Sequence, residues 1–220
     1  MADSTSPVRG RIAAVIFDCD GTLVDSEPIA HAALLDEGAE HGLEMDAAEG
    51  AALFTGIKMV FCVQEIERRI GKTLPDDFVP RVRARMARYF AERLQTMPGA
   101  LEVLSRLALP YCIASNGPQE KIRLTLEICG LLPAMKGPIF SAYDIGHWKP
   151  APELFIHAAN AMGVAARQCA VVEDSIPGME AGVAAGMTVF ALCPTEKIPP
   201  QLRQRVLPIR RLDDLFEHLD

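Results

Sequence analysis

The sequence lacks an excess of positive charge, because 22 Lys and Arg residues stand against 29 Asp and Glu residues and give a formal net charge of -7. A chain with this balance has no general electrostatic attraction to nucleic-acid phosphates or to anionic membrane surfaces. It also lacks any run of about 18 uninterrupted apolar residues, which a membrane-spanning helix requires. These absences disfavour both nucleic acid and a membrane as partners.

Signals for secretion and for disulfide formation are missing as well. Met1 to Gly10 is polar and short, without the basic start and apolar stretch of a signal peptide. The six cysteines include no Cys-x-x-Cys pair, and four of them lie in apolar runs, which favours small buried side chains in a reducing compartment. We therefore expect a cytoplasmic protein that is a monomer or a weak homo-oligomer.

What the sequence does contain is enough apolar material for one substantial core and a modest second domain, since 50% of its 220 residues are hydrophobic. The apolar run at 12–17 shows no polar alternation, which is typical of a strand covered on both faces. Residues 23–96 are then strongly helical, and from 97 onward short apolar runs alternate with helical patterns. That alternation predicts a parallel sheet with helices on its faces.

We therefore predict an α/β fold in two domains. Residues 1–22 and 97–220 form a Rossmann-like parallel-sheet core, and residues 23–96 form an inserted helical bundle. Further strands are predicted at 111–115, 139–140, 169–173, 187–192 and 206–209, with helices at 28–41, 59–70, 78–94, 99–108, 118–129, 152–163, 176–185 and 211–219.

The first strand ends on two carboxylates, Asp18 and Asp20, followed by Gly21. Ligands bind to open α/β sheets beyond the carboxyl ends of the strands, so this pair lies where a site is expected. Side chains two apart on a strand share a face, and the two carboxylates converge if the chain stays extended through Cys19. Their repulsion must then be offset by a cation or by unequal protonation.

Three further polar motifs occupy comparable places along the core. Ser115, Asn116 and Gly117 end an apolar strand before a predicted helix, and such a junction offers unpaired backbone donors to an anion. Lys149 lies in a proline-stiffened turn. Two more carboxylates, Glu173 and Asp174, end another strand, followed by Ser175, Gly178 and Gly182.

Together these motifs resemble the haloacid dehalogenase-like superfamily of phosphohydrolases, in the branch that includes β-phosphoglucomutases. The resemblance rests on Asp-x-Asp-Gly-Thr-Leu-Val-Asp-Ser-Glu, Ser-Asn-Gly, Lys-Pro-x-Pro and Glu-Asp-Ser-x-x-Gly, and it spans the core. Within the superfamily, Ser-Asn-Gly-Pro and the segment from Phe140 to Pro150 are similar to the bacterial 6-phosphogluconate phosphatase type.

The resemblance implies a Mg²⁺-dependent phosphatase that acts on a small phosphorylated metabolite, through an aspartyl-phosphate intermediate. Asp18 would be the nucleophile and Asp20 the general acid and base, and Lys149 would neutralise charge. Other roles follow the same resemblance: Asp18, the backbone carbonyl of Asp20, Glu173 and Asp174 at the metal, and Ser115 with the amides of Asn116 and Gly117 at the phosphoryl oxygens.

Two alternatives remain open. A phosphosugar mutase would use the same core, but its inserted domain holds the substrate with an arginine and a lysine, and here Met59 stands where that arginine is expected. Lys58 and Arg85 are the candidate substrate-binding cations of the insertion, although each could equally be a solvated charge on a helix. A non-catalytic binding protein is the second alternative, which the presence of every catalytic residue type disfavours.

Overall fold

The structure is a computed structural model that describes residues 11–219. The expectation about Met1 to Gly10 therefore lies outside the described residues. Two compact units divide the chain, one formed by the segment that ends at Val24 together with the segment that begins at Thr96, and the other by Asp25–Gln95. Across residues 11–219, no helix combines the length and the apolar character that crossing a membrane would require.

The first unit contains a six-stranded sheet in which every neighbouring pair is parallel, in the order β3-β2-β1-β4-β5-β6. The predicted α/β class with a parallel sheet is thus confirmed. The first strand occupies the middle of the sheet, between β2 and β4. The strands are β1 (Ala14–Phe17), β2 (Tyr111–Ser115), β3 (Ile139–Ser141), β4 (Cys169–Glu173), β5 (Thr188–Leu192) and β6 (Leu207–Ile209).

Helices follow most of these strands, as the alternating pattern predicts. Strand β1 is buried throughout because apolar side chains cover both of its faces. Ile16 belongs to the hydrophobic cluster that contains Phe155, whereas the neighbouring Phe17 contacts Tyr111 edge to face at 5.9 Å between ring centroids. The helices of this unit are α5 (Ala100–Arg106), α6 (Gln119–Ile128), α7 (Ala142–Ile145), α8 (Glu153–Ala161) and α9 (Ile176–Ala184).

The second unit is helical and has its own hydrophobic core, which includes Leu34, Phe54, Ile66 and Phe78. Its helices are α1 (Glu27–Glu40), α2 (Ala47–Phe54), α3 (Met59–Ile70) and α4 (Phe78–Arg93). Helix α2 was not among the predicted helices. The sequence feature that marks the start of α2 is its N-cap residue, because the Asp46 side chain accepts a hydrogen bond of 2.8 Å from the backbone N–H of Glu49.

The helix predicted at 211–219 is present, as a 3-10 helix rather than an α-helix. It spans Leu212–His218. Asp214 turns its carboxylate back onto the backbone N–H groups of Arg210 and Arg211, at 2.8 and 3.0 Å. These bonds fix the entry of a short, tightly wound segment, in which the i to i+3 pattern replaces the α-helical one.

A buried carboxylate joins α1 to α4 in the helical unit. The Glu37 side chain is only 2% exposed and lies 2.5 Å from Arg81 and 2.8 Å from Arg85. Glu40, one turn further along α1, contacts the same two arginines but is 47% exposed. Because an unpaired charge is costly only where water is excluded, the Glu37 contacts should contribute more to stability than those of Glu40.

We expect Glu37→Gln to lower the free energy of unfolding by about 3 kcal/mol, because it leaves two arginines beside a neutral buried group. Glu40→Gln is the matched control and should have a much smaller effect, since water screens its charge. Urea unfolding would be followed by circular dichroism, which reports both units, and by the fluorescence of the single Trp148, which lies in the sheet unit. Equal losses in the two variants would contradict the assignment.

Candidate active site

The predicted site residues converge at the carboxyl ends of three adjacent central strands. Asp18 follows β1, Ser115 ends β2 and Glu173 ends β4. The hydrogen bond from the Asp18 backbone N–H to the Val172 carbonyl, at 3.0 Å, extends the β1–β4 ladder to the first carboxylate. Because the strands are parallel, all three side chains emerge at the same edge of the sheet.

Lys149 is the centre of this arrangement. Its Nζ lies 2.5 Å from Asp18 Oδ1 and 2.6 Å from Glu173 Oε1, and its side chain is 3% exposed. The ammonium also lies 4.9 Å from the centroid of the Phe155 ring, whose face favours a cation. One buried cation therefore bridges the carboxylates at the ends of β1 and β4.

Asn116 holds the backbone of that lysine. Its Oδ1 accepts a hydrogen bond from the Lys149 N–H at 2.9 Å, and its Nδ2 donates to the Lys149 carbonyl at 3.3 Å. The following Lys149–Pro150 peptide bond is cis. The Asn116 side chain thus orients Lys149. The sequence predicts a role only for the backbone amide of Asn116, at a phosphoryl oxygen.

Asp18 and Asp20 contact different lysines, and the condition set for their convergence is not met. The chain leaves the strand after Phe17 and bends at Cys19. Asp18 contacts Lys149, whereas Asp20 Oδ1 lies 2.8 Å from the Nζ of Lys121. Their repulsion is thus offset by two separate lysines. Burial opposes the charged form of Lys121, but the charge and hydrogen bond of Asp20 outweigh it and raise the Lys121 pKa.

Gly21 and Thr22 shape the position of Asp174. The Thr22 hydroxyl donates to Asp174 Oδ1 at 3.0 Å. Gly21 has a φ of +78°, which only glycine adopts freely, and a Cβ there would lie 2.2 Å from Asp174 Oδ2. Glycine at position 21 therefore lets the backbone lie close to the Asp174 carboxylate, which a larger residue there would block.

Glu173 is fully buried and uses both of its oxygens. Oε1 accepts from Lys149, and Oε2 accepts from the backbone N–H and the hydroxyl of Ser175, at 3.1 and 2.9 Å. Gly178 in α9 lies directly beside this carboxyl, since a Cβ at that position would be 1.9 Å from the Glu173 carboxyl carbon. The main structural contribution of Glu173 is therefore to fix Lys149.

Burial determines the electrostatics of Asp18 and Lys149. Burial raises the pKa of Asp18, Lys149 acts in the opposite direction, and Glu173 and Asp20 raise it again, to about 8. Burial lowers the pKa of Lys149, but Asp18 and Glu173 outweigh it and raise that pKa above its ordinary value. Lys149 is thus an ammonium, and further positive charge near Asp18 would favour its carboxylate.

A metal ion is the chemically suitable source of that charge. Asp18, Glu173 and Asp174 each offer a carboxylate oxygen, and these atoms lie within 4.8 Å of one another. Hard divalent cations prefer oxygen ligands of this kind. Three carboxyl groups whose oxygens lie this close together form a donor set that fits a divalent cation.

The predicted phosphoryl-binding segment is also ordered by internal bonds. The Gly117 N–H donates to Ser115 Oγ at 3.0 Å, and the Ser115 hydroxyl lies 3.4 Å from Asp20 Oδ2. Ser141, at the end of β3, donates to the Gly117 carbonyl at 2.7 Å. This segment places the Ser115 hydroxyl beside Asp20, while the binding of phosphoryl oxygens by Ser115, Asn116 and Gly117 stays a prediction.

The two predicted cations of the helical unit differ in their surroundings. Lys58 precedes the first residue of α3 and is exposed. Arg85 is bound to Glu37 and Glu40, and its side chain is 17% exposed. For Arg85 to bind a substrate, these ion pairs would have to break, so the structure gives its charge a role in joining α1 to α4.

Sequence reasoning missed Lys121, which no motif includes. A signal was nevertheless present, because Lys121 lies in the first turn of α6. A cation near a helix N-terminus is disfavoured by about 0.3–1 kcal/mol, so a lysine there is worth explaining by an acidic partner. The partner, Asp20, lies 101 residues earlier in the chain.

An α/β core with an inserted helical unit carries an acidic cluster at the carboxyl ends of its central strands. The model of the haloacid dehalogenase-like hydrolase family matches residues 12–186, and the chain belongs to that family. It is 38% identical over 208 residues to the 6-phosphogluconate phosphatase of Escherichia coli K12, covering 94% of each chain. It is 30% identical to hexitol phosphatase A of the same organism, covering 91% of each.

A solved structure has a similar fold. The crystal structure of a putative β-phosphoglucomutase from Thermotoga maritima superposes with a TM-score of 0.76 at 23% identity, covering 94% of this chain and 99% of the other. The family match and the phosphatase relatives identify the chain as a haloacid dehalogenase-like phosphatase. The resemblance stated from the motifs is confirmed.

Proposed function

We propose that this phosphatase is Mg²⁺-dependent and hydrolyses a small sugar-phosphate type monoester through an aspartyl-phosphate intermediate. The observation that carries the proposal is the contact of buried Lys149 with both Asp18 and Glu173 beside Asp174. Relatives named for 6-phosphogluconate and for hexitols support the substrate class. We take 6-phosphogluconate as the first candidate substrate.

In the first step, an Asp18 carboxylate oxygen attacks phosphorus and the bond to the leaving oxygen breaks. Asp20 gives a proton to that oxygen, which releases the alcohol and leaves an acyl phosphate on Asp18. Lys149 neutralises charge on the nucleophile and on the phosphoryl group during the transfer. Ser115, with the backbone amides of Asn116 and Gly117, holds phosphoryl oxygens.

In the second step, water attacks the phosphorus of the acyl phosphate. Asp20, now a carboxylate, accepts the proton of that water, and the bond from phosphorus to Asp18 breaks. The products are inorganic phosphate and the original Asp18 carboxylate. Asp20 thus serves as the acid in the first step and as the base in the second, so each turnover restores its starting protonation state.

Asp18, Asp174 and the main-chain carbonyl of Asp20 would hold Mg²⁺, with Glu173 in or near the ligand shell. When bound, Mg²⁺ supplies positive charge that stabilises the phosphoryl group in the transition state. The carboxylate donor set supports a hard cation of this kind.

The helical unit would act as a cap that selects the substrate, with Lys58 as its first candidate binding residue and Arg85 as a second that would first have to leave Glu37 and Glu40. The core at 1–22 plus 97–220 would carry out the chemistry, and 23–96 would form the cap. A cytoplasmic location and a monomeric or weakly associated state stay predictions.

A phosphate-release screen across sugar and polyol monophosphates, including 6-phosphogluconate, tests the proposal. We expect hydrolysis of at least one linear polyhydroxylated phosphate. The mutase alternative is tested in parallel by supplying β-glucose 1-phosphate with a bisphosphate activator and measuring glucose 6-phosphate. Isomerisation faster than phosphate release would replace the phosphatase assignment.

Removal of the metal should abolish turnover. Dialysis against a chelator is expected to lower phosphate release by at least about 100-fold, and added Mg²⁺ should restore it, because the buried carboxylates then regain their counter-charge. Asp174→Asn should raise the Mg²⁺ concentration for half-maximal activity by at least about 10-fold. Asp144→Asn, an exposed change on α7, is the matched control. Full activity in chelator would contradict the metal assignment.

A further inference from the structure

Lys121 is the basic residue that contacts Asp20, and the mechanism above leaves it without a role. It lies in the first turn of α6, directly after the Ser-Asn-Gly-Pro segment. Its Nζ is 2.8 Å from Asp20 Oδ1, and the two side chains are 25% and 18% exposed. The pair is therefore partly shielded from water and is separate from the pair formed by Lys149 and Asp18.

The two oxygens of Asp20 have different neighbours. Oδ1 accepts from the Lys121 ammonium at 2.8 Å, whereas Oδ2 accepts a longer hydrogen bond of 3.4 Å from the Ser115 hydroxyl. A lysine ammonium has three donor hydrogens and no acceptor, so a proton on Oδ1 would point at another donor. The Ser115 hydroxyl, unlike an ammonium, can accept as well as donate, so Oδ2 is the oxygen of Asp20 that can carry the transferred proton.

We propose that Lys121 is a positioning residue that binds Oδ1 of Asp20 and thereby makes Oδ2 the oxygen that exchanges protons with the reacting groups. This inference rests on the proposed function, since it assumes that Asp20 is the acid and base. In the first step, Oδ2 gives its proton to the leaving alkoxide as the phosphorus–oxygen bond breaks. In the second step, Oδ2 takes a proton from the attacking water.

The position of Lys121 supports this role over that of an ordinary helical charge. A lysine in the first turn of a helix lies at the positive end of the helix dipole and gains nothing from it. Arg123, two residues later on the same helix, is exposed. Removing Arg123 therefore controls for the loss of one positive charge from α6 while leaving the contact with Asp20 intact.

The test compares two leaving groups in Lys121→Met. An alkyl phosphate, taken as the best substrate of the screen, releases a poor leaving group that needs a proton, whereas para-nitrophenyl phosphate releases a stable phenolate that does not. We expect kcat/KM to fall by about 100-fold for the alkyl phosphate and to change little for the aryl phosphate. This constant reports only on steps up to the first irreversible one, so the shared second step does not mask the difference.

Lys121→Arg should recover most of the alkyl phosphate activity, because it keeps a donor for Oδ1. Arg123→Met should leave both constants unchanged. Asp20→Asn is the reference and should show the same contrast between leaving groups. Thermal unfolding of each variant by circular dichroism reports whether it folds. If the Met variant does not fold, Lys121→Gln, which also removes the charge, takes its place in the comparison.

Equal losses on the two substrates in Lys121→Met, or no loss at all in that variant, would overturn the inference. If Asp20→Asn shows the contrast and Lys121→Met does not, the positioning role fails while the proposed function stands. If the wild-type enzyme hydrolyses neither phosphate, or if Asp18→Asn remains fully active, the proposed function itself fails.

Discussion

Asp18→Asn should lower kcat for every phosphate monoester by at least about 10,000-fold, because the amide cannot form the acyl phosphate on which turnover depends. The fold should persist, since the amide keeps the size of the carboxyl and can still accept a hydrogen bond from Lys149. The measurement is phosphate release by the purified variant at saturating Mg²⁺, with an aryl phosphate and with the best substrate of the screen.

Asp144→Asn is the matched control, because it makes the same chemical change at an exposed carboxylate and should be as active as the wild type. A second readout is independent of turnover. Beryllium fluoride mimics the phosphoryl group of an acyl phosphate, and we expect its adduct on Asp18 of the wild type and none in Asp18→Asn. Turnover near the wild-type rate in the variant, or an adduct on another residue, would remove Asp18 as the nucleophile.

Most of the core site residues that the sequence predicts share one property: they lie at or just after the end of an apolar strand. Asp18, Ser115 and Glu173 follow this rule, and the parallel order of β2, β1 and β4 then brings them to one edge. Lys149 was found from its proline-stiffened turn. For these residues the local sequence was sufficient, because the topology of a parallel sheet supplies the long-range placement.

Residues whose role depends on a distant partner were not predictable in the same way. Lys121 has the appearance of a helical surface charge until Asp20 is placed beside it. Arg85 is the opposite case. The sequence makes it a candidate substrate-binding residue, and in the structure it forms an ion pair with the buried Glu37. A charged residue on a helix has no local signature that separates these outcomes, because ion pairing is decided by packing.

Turn and cap residues form a third group. The sequence shows the motif to which each belongs, but not the contact that requires that residue type. The sequence predicts a break in the chain at Gly21, and the structure adds that Asp174 leaves no room for a Cβ there. The sequence places Asn116 in an anion-binding turn, and the structure adds that its side chain holds the backbone of Lys149. In both cases the residue type is required by a contact made across the sheet.

Gly178→Ala should inactivate the enzyme through Glu173. The added Cβ would lie 1.9 Å from the Glu173 carboxyl carbon and from Oε1, so the carboxyl must move. Because Oε1 is 2.6 Å from Lys149, the displacement releases the lysine from its position beside Asp18. We expect kcat to fall by about 100-fold or more, since small errors in the placement of catalytic groups are costly.

Gly182→Ala separates this effect from simple overpacking. It lies on the same helix, α9, and its added Cβ would come within 2.7 Å of a Val189 methyl group. We expect it to destabilise the protein by about 1–3 kcal/mol in urea unfolding, as overpacked cores do, with kcat close to that of the wild type. A loss of kcat in Gly178→Ala no greater than in Gly182→Ala would mean that Glu173 does not transmit the change.

Glu173→Asp completes the test as a double-mutant cycle. The shorter side chain withdraws the carboxyl from the space that a Cβ at position 178 would enter, so Gly178→Ala should cost far less kcat when combined with Glu173→Asp than when introduced into the wild type. Additive losses would instead show that the alanine acts on α9 as a whole. The cycle thus asks whether the glycine of Glu-Asp-Ser-x-x-Gly is required by the carboxylate five residues before it, and through that carboxylate by the lysine that neutralises the nucleophile.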